Sequence, residues 1–102
     1  MHETGGEHLV SESPERVEAE FVLGNEVGLH ARPAALLVKT AARFTARITV
    51  TRGDRAADAR SLFSLLALGA TRGSAVMVRA EGPDAREALA AIAALFENNF
   101  SE

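Results

Sequence analysis

The chain has 102 residues, 47% apolar and 25% charged, which suits one domain with a buried core and a charged surface. It contains no cysteine, which excludes disulfides and thiolate metal sites, and its net charge of -3 speaks against a nucleic-acid role, since phosphate-backbone binding needs a basic stripe. No apolar run approaches the ~20 residues of a membrane span and the first residues lack a signal-peptide pattern, so a cytoplasmic protein without membrane insertion is expected.

Residues 1–16 (MHETGGEHLVSESPER) are polar and acidic without sustained apolar periodicity, and read as a flexible N-terminal extension. The domain is expected over 17–102. Val17, Ala19, Phe21 and Leu23 alternate with more exposed positions as a half-buried strand, and Gly24 to Gly28 breaks it as a loop. Ala31 to Arg43 reads as a helix with Ala34, Leu37, Val38 and Ala41 on one face and Pro33 tolerated in the first turn. Ala46, Ile48 and Val50 mark a second strand, Gly53-Asp54 a turn, and Arg55 to Ala59 a short third strand. Ser61 suits the N-cap of a short helix over 62–68, which Gly69 ends. A fourth strand follows over 74–81. Asp84, with Glu87 three residues on, reads as a capping box before a last helix with Ala88, Leu89, Ile92, Leu95 and Phe96 as its apolar stripe. The order is β-α-β-β-α-β-α. Its economical solution is an α+β fold, an open-faced two-layer sandwich of a four-stranded antiparallel sheet with three helices on one face.

His30 falls at the N-cap of the first helix, where unpaired backbone N–H groups and the helix dipole favour an anion. An imidazole is also a competent nucleophile for phosphoryl transfer, and Arg32 can add a charge-assisted contact to phosphate oxygens. On His30 alone, a solvated loop histidine beside a helix start is the better description, since a histidine at a turn is common. The other histidines, His2 and His8, lie far from His30 in sequence, so no metal site is expected. Ser61 is accounted for by capping alone. Leu62, Phe63 and Leu66 cannot all face inward at helical spacing, so part of this set is expected to be exposed.

The stretch Gly28-Leu29-His30-Ala31-Arg32-Pro33-Ala34 resembles the active-site motif of the HPr family, the histidine-containing phosphocarriers of the bacterial phosphotransferase system. Arg60 to Gly69 is similar to the family's regulatory-serine helix and Ser74 to Asp84 to its last strand, so the resemblance spans 17–100. It implies that His30 accepts a phosphoryl group from enzyme I and passes it to enzyme IIA domains, with the backbone of Ala31 and Arg32 holding phosphate. It further implies docking at Leu62, Phe63 and Leu66, modification of Ser61 by an HPr kinase/phosphorylase, a monomer, and no cofactor. Lys39 is the only lysine, and Ala42 and Ser64 are uncharged where lysine is frequent in the family. The segment Glu87 to Phe96 looks closer to the nitrogen-related branch. Two alternatives therefore stand beside a sugar carrier: a nitrogen-related carrier with a regulatory role, and a small regulatory domain without phosphoryl chemistry, which only the His30 motif opposes.

Overall fold

The computed structural model describes residues 9–13 and 15–101. Its strands are β1 (Leu9–Ser13), β2 (Arg16–Val22), β3 (Arg47–Arg52), β4 (Arg55–Asp58) and β5 (Ala75–Glu81), and its helices α1 (Ala31–Ala41), α2 (Leu62–Ala67) and α3 (Ala85–Glu97). All pairings are antiparallel, in the order β1-β2-β5-β3-β4. The expected four-stranded sheet is therefore present as β2-β5-β3-β4. The alternation that marks its strands also decides its covered face. Val17, Ala19 and Phe21, Ile48 and Val50, and Val76, Val78 and Ala80 are buried, while Glu20, Val22 and Arg47 look outward. All three helices lie on the buried side, α3 over β2 and β5, α2 against β4, and α1 between the other two helices.

Three details depart from the sequence reading. The supposed extension contributes a fifth strand, since β1 pairs along β2 with Leu9 opposite Ala19 and Ser13 opposite Arg16, and β2 begins at Arg16 rather than Val17. Ladder bonds need no apolar alternation, which is why periodicity is a poor guide to an edge strand. Residues 1–8 lie outside the described residues. Helix α1 stops at Ala41, where Arg43 N–H bonds Thr40 O and Phe44 N–H bonds Ala41 O in a tightened last turn. The capping box at α3 does not form. Asp84 is the N-cap, yet its carboxylate accepts from Thr45 N–H at 2.9 Å, Ala46 N–H at 2.8 Å and Thr45 Oγ1 at 3.2 Å, tying the start of α3 to the entrance of β3. These donors hold the Asp84 carboxyl below its ordinary pKa, the Thr45 amide foremost.

Helix α3 ends in a turn that brings the chain back across the domain. Phe100 N–H bonds Leu95 O at 2.8 Å and Asn99 N–H bonds Phe96 O at 3.1 Å, the paired bonds of a Schellman motif, with Asn99 in the left-handed region at φ 55°. Phe100, also left-handed at φ 60°, is driven inward. Its ring meets Phe96 edge-on at 5.0 Å between centroids, and Phe96 stacks on Phe21 of β2 at 4.7 Å.

Candidate functional site

The loop between β2 and α1 is fixed by contacts on both flanks. Gly28 adopts φ +73°, and a Cβ there would lie 2.6 Å from Thr71 Cα and 2.7 Å from Ala70 O, so no side chain fits between this loop and the segment after α2. Leu29 is buried and its N–H bonds Ala70 O at 3.0 Å. Asn25 closes the loop internally, with Nδ2 donating to Gly28 O at 2.6 Å. On the other flank, the Asn99 side chain packs against Gly24, where a Cβ would come within 2.6 Å of Asn99 Oδ1. With Leu29 turned inward, the next side chain along the chain, His30, is turned out.

His30 is the N-cap of α1 in extended backbone, φ -111° and ψ -165°, and its exposed imidazole makes no capping hydrogen bond. The helical ladder begins with Ala34 N–H on His30 O at 2.9 Å, so the amides of Ala31 and Arg32 precede it and belong to the positive end of the helix. No carboxylate stands in the first turn of α1, whereas Arg32 does, with its side chain exposed. Pro33 and Ala34 are buried and anchor this turn to the core. His30 and Arg32 share an open depression of about 390 Å³ with Asn25, Val27, Asn99 and Phe100.

Helix α2 runs beside α1. Ser61 is its N-cap and half-buried. Its Oγ accepts from Ser64 N–H at 3.2 Å and donates to Ser64 Oγ at 2.9 Å. Phe63 is 84% exposed and Leu62 37%, whereas Leu66 is half-buried and packed on the core. Arg52 and Arg55 from the β3-β4 hairpin donate to Leu68 O and Ala67 O, each at 2.9 Å, satisfying carbonyls at the end of α2. The sequence reading missed Asn25, Val27, Asn99, Phe100 and Ser101 of the depression. Val27 is apolar and 63% exposed, but only the fold reveals that exposure. Adjacent asparagines after an apolar helix do signal a left-handed end, though not where that end lands.

The site is thus an exposed histidine at the N-terminus of α1, beside an open depression, on an open-faced sandwich. The family model described as the PTS HPr component phosphorylation site matches residues 17–98. The chain is 46% identical over 80 residues to the phosphocarrier protein HPr of Vibrio cholerae, covering 78% of this chain and 94% of that protein. It is 47% identical over 79 residues to the multiphosphoryl transfer protein of Salmonella typhimurium, covering 74% of this chain and 21% of that longer protein. The crystal structure of HPr-C-His from Thermoanaerobacter tengcongensis superposes with a TM-score of 0.80 at 40% identity, covering 83% of this chain and 96% of that one. The chain belongs to the HPr family and is a phosphocarrier of the phosphotransferase system.

Proposed function

We propose that His30 accepts the phosphoryl group from enzyme I and delivers it to an enzyme IIA domain. The observation that carries this reading is an exposed N-cap imidazole, unused in capping, at a helix N-terminus with no carboxylate in its first turn. In the forward step the lone pair of the neutral imidazole's Nδ1 attacks phosphorus. The new N–P bond forms as the donor's bond to phosphorus breaks, and that electron pair returns to the donor. The second transfer runs the same exchange with the carrier as donor. The helix dipole, the Ala31 and Arg32 amides and the Arg32 guanidinium offset the charge of the phosphoryl oxygens, and the open rim lets partners reach them. Partners dock on α2 through Leu62 and Phe63, with Leu66 beneath them, and Ser61 is the residue a kinase would modify. The carrier works in the cytoplasm as a monomer, since a second copy over α1 or α2 would cover the surface partners need. A nitrogen-related carrier is the second reading, supported by the Glu87 to Phe96 segment and by the single lysine.

The test is incubation with enzyme I and radiolabelled phosphoenolpyruvate, with His30→Ala alongside. The parent should gain acid-labile, base-stable label and the variant none. Label retained on the variant would remove His30 from the site. Labelling by the sugar-type and nitrogen-type enzymes I, compared at equal concentration, separates the two branches.

A further inference from the structure

We infer that Asn25 is a positioning residue for phosphoryl transfer, holding the His30 backbone at the angle from which its imidazole meets phosphorus; this rests on His30 being the acceptor. Three hydrogen bonds converge on the turn from Asn25 to His30. Asn25 Nδ2 donates to Gly28 O at 2.6 Å, Gly28 N–H donates to Asn25 O at 3.3 Å, and His30 N–H donates to the same Gly28 O at 3.1 Å. Gly28 O is thus a shared acceptor, with the Asn25 carboxamide on one side and the backbone amide of the reacting residue on the other. Gly28 O belongs to the Gly28–Leu29 peptide, and by accepting from His30 N–H it restrains the next peptide plane, Leu29–His30, from which the His30 Cβ and ring project.

The same carboxamide also lies at the site itself. Asn25 Oδ1 is buried and makes no hydrogen bond among the described residues. A buried unpaired carbonyl is destabilising, so the side chain gains one bond at the expense of an unmade one. The opposite amide assignment would turn Oδ1 onto Gly28 O, acceptor against acceptor, so the donor is the atom that faces the loop. Asn25 also lines the depression that holds His30. The other supports of the loop, Gly28 on Thr71, Leu29 on Ala70 and Asn99 against Gly24, come from outside it, and the Asn25 bond is a side-chain tie within the turn. In a transfer that needs nucleophile, phosphorus and leaving group in line, an error of about 1 Å is enough to cost orders of magnitude in rate.

Asn25→Ala and Asn25→Asp both remove the donor, and the aspartate also sets a carboxylate against Gly28 O. Labelling of the full chain by enzyme I is followed over a range of carrier concentrations, with thermal melts and amide hydrogen exchange at His30 beside it. The expected result is a fall in kcat of about tenfold or more in both variants, larger for aspartate, with KM changed less than about twofold. Faster exchange of the His30 amide should accompany it while the fold persists at assay temperature. Parental kcat in either variant, a loss confined to KM, or unchanged exchange at His30 would overturn the inference. So would variants too unstable to assay, which would make Asn25 a residue of the fold. If the parent itself takes no label on His30, the acceptor assignment fails instead, and the two failures are distinct.

Discussion

Asp84 carries a carboxylate that serves a neighbour rather than its own helix. By accepting from Thr45 and Ala46 it closes the corner where the chain leaves α1 and enters β3, and these donors favour its charged form. The sign of the resulting pH dependence follows. With the folded pKa below the unfolded one, the contribution is fully present above the ordinary carboxylate value and is lost as pH falls through the depressed one. Asp84→Asn should therefore be less stable than the parent at neutral pH, because an amide cannot accept as many bonds and brings a donor against Thr45. Its melting temperature should also fall less steeply on acidification below about pH 4, the ordinary carboxylate range. Melts from pH 7 to pH 2 check both; parallel acid limbs would show that the Thr45 and Ala46 bonds contribute nothing. In the sequence this aspartate is indistinguishable from a capping-box residue. An acid one position before a helix has two possible clients, and only tertiary structure brings the second into reach.

At the scale of elements, α2 is the one that stands least on its own. It has six residues, too few for an isolated helix to persist in water, and its ends are finished by other groups. Ser61 and Ser64 close the N-terminus, while Arg52 and Arg55 reach from the hairpin to the C-terminus. Ser61→Ala should lose roughly 0.5–2 kcal/mol with the cap and still accept phosphate on His30 at the parental rate. Ser61→Asp keeps a competent cap and adds a charge that suits the helix dipole, so stability should hold. That charge sits next to Leu62 and Phe63, and labelling should slow through weaker binding of enzyme I, with the defect shrinking as salt is added. Timed labelling at two salt concentrations, beside melts, decides between capping and docking. A parental rate in Ser61→Asp would remove α2 from the docking surface. The serine cap was legible because it is a local rule acting over three residues. The arginine caps were not, because they depend on a hairpin folding back over the helix.

For the whole molecule, the features with a regular period were readable and those made by long-range return were not. Val17 to Phe21, Val76 to Ala80 and Ala88 to Phe96 announce their buried faces by spacing alone, and the layered sandwich follows from them. His30 stands out in the sequence through its motif. The depression around it does not, since its far wall comes from Asn99 and Phe100 at the other end of the chain. That wall also helps hold the domain together, because Phe100 closes the aromatic row that runs through Phe96 to β2. Phe100→Ala should cost about 3–5 kcal/mol, as large-to-small changes at buried aromatics do. In a domain of this size that is a fall in melting temperature on the order of 15 °C or more, since each 1 kcal/mol shifts it by several degrees. A drop of only a few degrees would show that the final turn is peripheral to the core.

The same row has an optical consequence. The chain has five phenylalanines and neither tryptophan nor tyrosine, so every side-chain contribution to its near-ultraviolet circular dichroism comes from phenylalanine. Such signals require rings held in fixed asymmetric surroundings. Phe63 is almost wholly in solvent, whereas Phe21, Phe96 and Phe100 are locked against one another, with Phe100 forming part of the rim beside His30. The phenylalanine fine structure thus labels the packed rings of this row together with Phe44, which is half-buried against the core. It can report phosphorylation or partner binding in unmodified protein, provided the partner's own aromatic bands are subtracted.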